Sequence, residues 1–165
     1  MRKLYLVVAA TAIGLVLAPS AAQAQEPFEA SFKGKQKRND PPCVAGLLCG
    51  TGTIAGYGEA SFSLVPTSIG PTVGSCQPVT ALTTLALADG SGTLTLDATG
   101  ELCSPGNSAN APGAVRSFGN PFEALVTYEV VGGTGVFAGA SGDGTAKLTS
   151  AGARQHLKAS GVLDF

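Results

Sequence analysis

The sequence has no tryptophan, one histidine and one methionine, and Asp, Glu, Lys and Arg together make up only 13% of its 165 residues. Charges this sparse exclude a helical bundle or coiled coil, which need many charged residues at helical spacing. A net charge of −1 supplies no field to gather nucleic acid. One histidine, His156, and four cysteines without a C-x-x-C spacing make a poor zinc set. No G-K-[ST] follows a glycine-rich stretch, and Gly133-Thr134-Gly135 leads into further glycines, not a helix. Neither a P-loop nor a dinucleotide fingerprint is therefore present, and no cofactor is expected. A G-x-S-x-G nucleophile elbow is missing as well.

What is present is 44% hydrophobic residues and 23 glycines. That is too apolar for a disordered chain, and the glycines keep no period of three. The start stands apart. Met1-Arg2-Lys3 is basic, Leu4 to Leu17 is an apolar run, Pro19 and Ser20 break it, and Ala22-Gln23-Ala24 follows. This is the order of a secretory signal peptide over residues 1–24, with cleavage expected after Ala24. The run is shorter than the roughly 20 apolar residues a span needs. No cysteine follows the site, and no second long apolar run occurs. Residues 25–165 are then expected as one secreted or periplasmic domain without a membrane span, carrying 8 basic and 11 acidic residues.

The four cysteines, Cys43, Cys49, Cys76 and Cys103, all lie beyond residue 24. An even count behind an export signal reads as two disulfides, not a metal or redox site. Of three possible pairings, Cys43–Cys49 with Cys76–Cys103 closes both loops locally. The second would contribute roughly 3 to 4 kcal/mol by loop entropy.

Alternation dominates the rest. Phe28, Ala30, Phe32 and Gly34 share one face of a strand. From Gly50 to Val65, Ile54, Ala60, Phe62 and Leu64 share another, with Gly56 and Gly58 marking a bulge or bend. Val79 to Ala88 is apolar and threonine-rich, and Asp89-Gly90-Ser91-Gly92 punctuates a hairpin. Leu94, Leu96, Ala98 and Leu102 alternate with polar residues. Phe122, Ala124, Val126, Tyr128 and Val130 do the same, and Gly132 to Gly135 turns the chain. Val136 to Ala138, Thr145 to Ser150 and Arg154 to Phe165 supply further strands. About eight short strands without an amphipathic helix predict an all-β antiparallel barrel, with a β-sandwich as the alternative. The polar stretch from Ser104 to Pro121 is the candidate functional loop.

Val131-Gly132-Gly133-Thr134-Gly135-Val136-Phe137-Ala138-Gly139-Ala140-Ser141-Gly142 resembles the V-x-G-G-T-G-x-F-x-x-A-x-G signature of the allene oxide cyclase and dirigent-type barrels. The resemblance covers some 18 residues, including Tyr128 and Gly144-Thr145. It implies an eight-stranded antiparallel barrel with an apolar lumen that steers a reactive small molecule. The families' functional residues lie outside this stretch, so none is carried over.

The chemistry-bearing residues have plain readings. Alternation sends His156 to solvent with Arg154 and Lys158, away from any pocket a general base needs. Glu123 and Glu129, and likewise Asp97 and Glu101, lie on polar strand faces, whereas working carboxylate pairs are held in clefts. The basic run Lys33 to Arg38 reads as a solvated strand end. No catalytic residue is assigned. The expectation is a non-enzymatic barrel binding a small apolar molecule, with Phe62, Tyr128 and Phe137 as contacts. A dirigent- or cyclase-like catalyst, acting by water exclusion and shape, and a surface-interaction protein using the Ser104–Pro121 loop are the alternatives.

Overall fold

A computed structural model describes residues 25–35, 48–104, 121–151 and 154–165. Eight strands occupy them: β1 (Glu26–Lys35), β2 (Leu48–Ile54), β3 (Gly58–Ile69), β4 (Cys76–Leu87), β5 (Gly92–Cys103), β6 (Phe122–Gly135), β7 (Ser141–Ala151) and β8 (Arg154–Asp164). Each pairs antiparallel with the next, and β8 pairs with β1 to close the barrel. Closure leaves no free sheet edge. The sandwich alternative is thereby set aside. The called signal segment, residues 1–24, and most of the Ser104–Pro121 loop lie outside the described residues.

The register fixes the width. Stepping across strands from Phe32 through Leu157, Leu148, Ala124 and Leu102 leads to Gln77 on β4. Stepping the other way through Gly52 and Ala60 leads to Leu87 on the same strand. One circuit thus staggers the ladder by ten residues, from 77 to 87. Eight strands with such a tilt enclose an interior that side chains just fill or that holds one small ligand.

Two local readings change. The stretch from Gly50 to Val65 is not one bent strand. It is a hairpin, with Tyr57 N–H donating to the Ile54 carbonyl at 3.0 Å across the turn between β2 and β3. Likewise Val136 to Ala138 is a turn, not a strand, and β6 runs on through Gly132-Gly133-Thr134-Gly135 before the chain reverses. Phe137, Ala138 and Ala140 donate to the carbonyls of Thr134, Gly135 and Phe137 at 3.0–3.1 Å. Gly135 and Gly139, at φ 60° and 82°, take the left-handed conformations this turn requires. Period-two counting is blind to a short turn whose residues keep the alternation going.

Antiparallel order sorts the connections. The tight turns at residues 55–57, 88–91 and 136–140 all fall at one end, here the tight end. The strand ends that flank residues 36–47, 70–75, 104–121 and 152–153 all lie at the other, the loop end.

Aromatic packing closes the tight end. Phe137 is completely buried and stacks on Tyr57 with ring centroids 4.6 Å apart. Phe32 meets Phe62 at 5.5 Å, and Phe28 meets Tyr128 edge-on at 6.3 Å. Each such ring adds favourable geometry to about 1.5 to 3 kcal/mol of burial.

Candidate functional site

Inward positions change character along the barrel axis. Toward the tight end they are Phe28, Ile54, Leu85, Leu94 and Leu163, all at most 1% exposed. Toward the loop end alanines interrupt the large residues: Ala81, Ala98, Ala124, Ala146 and Ala159 all face the lumen. Small side chains where a cylinder needs large ones leave space. The result is a cavity of about 60 Å³ walled by Leu48, Val79, Leu102 and Leu148. Leu85, Leu96 and Tyr128 form its tight-end floor. Leu64, Phe122 and Val126 also border it and are only partly buried.

Tyr128 is the polar exception on this floor. It is 2% exposed, and its hydroxyl has no hydrogen-bond partner among the described residues. The ring lies over bare backbone on β7 and β8. A Cβ built at Gly144 would stand 2.5 Å from the Tyr128 oxygen, and one at Gly161 would stand 2.6 Å away. These two glycines, which are register partners, make the notch that accepts the phenol. Burial, reinforced by the Asp143 carboxylate, pushes the hydroxyl's pKa up to about 12. The group is therefore a neutral hydrogen-bond donor at any ordinary pH.

Two further buried amides point inward on the loop-end turns of β4 and β8. Gln77 accepts through Oε1 from the Thr72 hydroxyl at 3.3 Å, while its Nε2 has no partner among the described residues. The Gln155 Oε1 is likewise without a partner among the described residues, 3.4 Å from where a Cβ at Gly34 would sit. Sequence reasoning assigned neither a role. Gln155 gave a signal, as a polar residue alternating with Leu157 and Ala159 on the apolar face of β8. Gln77 gave none, because the apolar run begins two residues later, at Val79.

Of the three expected contacts, only Tyr128 borders the cavity. Phe62 is 1% exposed against Phe32, and Phe137 caps the tight end. The remaining chemistry-bearing side chains face outward. His156 is exposed on β8. Glu123 pairs with Lys147 at 2.7 Å, and both are well exposed. Glu129, Asp97 and Glu101 are exposed as well. Lys33 is exposed on β1, while Gln36 to Arg38 lie outside the described residues.

Cys76 and Cys103, opposite each other in the ladder, form a disulfide with Cα atoms 4.0 Å apart. With Glu101 they bring three ligand-type atoms within 4.8 Å, but sulfurs joined to each other offer no thiolate to a metal. Cys49 is also disulfide-bonded. Cys43, its expected partner, lies outside the described residues. No helix among the described residues is long and apolar enough to cross a membrane.

Compared with known proteins, the chain matches no family model, no curated protein and no solved structure.

Proposed function

We propose that the barrel is an exported, non-enzymatic carrier or sensor that holds a small, mainly apolar molecule in the loop-end half of its lumen. The observation that carries this reading is the alanine-lined cavity of about 60 Å³ beneath partly buried Leu64 and Phe122. A single aromatic ring fits an apolar cavity of about 150 Å³. The occupant is therefore small, and it makes part of its room by displacing Leu64 and Phe122, which the core does not lock. Apolar contact supplies affinity at about 25 cal/mol per Å² removed from water. The disulfide supports export, since such bonds persist in oxidising compartments.

The stretch Val131–Gly142 favours a second reading. Its resemblance to the cyclase and dirigent-type barrels suggests that the same lumen steers a reactive molecule by excluding water and fixing its shape. A surface-interaction role through the Ser104–Pro121 loop is the third.

Thermal denaturation against a panel of short neutral apolar molecules, phenols and fatty acids tests the first reading. A saturable rise in melting temperature with at least one class is expected. No shift with any class removes lumen binding, carrier and catalyst alike, for those ligands.

A further inference from the structure

The Tyr128 hydroxyl fills the notch over Gly144 and Gly161 but finds no hydrogen-bond partner among the described residues. Phenylalanine would keep the edge-on contact with Phe28. A buried hydroxyl without a partner costs free energy that a phenyl ring would not. The residue that carries it nonetheless borders the lumen cavity, the hydroxyl lying beside the cavity floor in the notch over Gly144 and Gly161. Apart from Thr83 and Ser150, the cavity wall is apolar, so an acceptor brought down to the floor meets this donor and little else polar.

Resting on the lumen-binding reading, we propose that Tyr128 is the specificity-determining contact, donating a hydrogen bond to a neutral oxygen acceptor on the buried end of the occupant. The ligand class is thereby a compact apolar carbonyl or ether compound, entering acceptor first from the loop end. A carboxylate is disfavoured there. It would lose its hydration in an apolar cavity, close to the Asp143 carboxylate whose field already opposes negative charge on Tyr128.

A matched pair of probes, cyclopentanone and methylenecyclopentane, tests this by calorimetric titration into the wild type and Tyr128→Phe. The two probes have one shape and differ only in the acceptor. Comparing each probe between the two proteins cancels its cost of leaving water. The ketone should bind Tyr128→Phe roughly five- to tenfold more weakly than the wild type, the worth of one net hydrogen bond. The alkene should bind both proteins equally. The unliganded melting temperature of Tyr128→Phe should equal or exceed that of the wild type, because the lost hydroxyl has no partner to forfeit. Equal ketone affinity for the two proteins overturns the donor role and leaves lumen binding standing. A parallel loss for ketone and alkene also overturns it, since the hydroxyl then only shapes the cavity. Failure of both probes to bind either protein overturns lumen binding and this assignment together.

Discussion

Tyr128 concentrates most of what is unusual in this molecule: an unpaired hydroxyl, a glycine notch and a place on the cavity floor. Its burial has a consequence in alkali. The folded state favours the neutral phenol, so the pKa rises from its ordinary 10.0 to about 12. Tyr57 is shifted in the same direction, by its burial and by the Glu26 carboxylate that accepts its hydrogen bond at 3.2 Å. A group whose folded pKa is raised contributes stability that is complete below its unfolded pKa and is lost as pH climbs through the folded value. Stability should therefore fall between pH 10.0 and about 12. Urea unfolding midpoints across that window will show the fall, and Tyr128→Phe should make it shallower. An unchanged slope in the variant would mean that the hydroxyl is not held neutral by the fold. Tyr128 itself was legible in the sequence, since alternation with Ala124 and Val126 turned it inward. Its missing partner was not, because a hydrogen bond depends on which strands meet across the barrel.

The strands were easier to read than the turns between them. β5 and β6 alternate without interruption over most of their length, and burial follows that pattern. The β2–β3 hairpin escaped because Ile54 and Gly58 are themselves register partners, so the inward set continues through the turn. Pairing also creates a liability that no single strand reveals. Asp97 of β5 lies opposite Glu129 of β6, and Glu129 lies opposite Asp143 of β7. Three exposed carboxylates thus stand in a row, and like charges in direct register are destabilising. Glu129→Lys should stabilise the protein by about 0.2 to 1 kcal/mol, more at low ionic strength, as read from chemical denaturation. A loss of stability would show that the row is already neutralised. The Cys76–Cys103 link, 27 residues apart in sequence, joins adjacent strands at the loop end. Replacing both cysteines with serine should cost about 3 to 4 kcal/mol by loop entropy. A cost near zero would place the stability of the β4–β5 pair in its ladder alone.

Closure is a property of the whole chain. It depends on β1 and β8, the first and last strands, pairing from Glu26 opposite Leu163 to Lys35 opposite Arg154. Alternation makes each strand two-faced. Eight such strands with short turns suggested a barrel, but the ten-residue stagger that sets its bore emerges only from all eight registers together. The cavity was hidden for the same reason. Ala81, Ala98, Ala124, Ala146 and Ala159 lie on five different strands, and nothing local shows that they face one another. The turns at 55–57, 88–91 and 136–140 share one end of the barrel, and buried Phe137 plugs it. The most direct test is a crystal of the protein soaked with bromobenzene and examined by the anomalous scattering of bromine. The peak is expected inside the barrel, between Leu102, Ala124 and Leu148 and above Tyr128, and it should vanish when Ala98→Leu fills that space. Bromine only on the outer wall, or a lumen peak untouched by Ala98→Leu, would contradict the account.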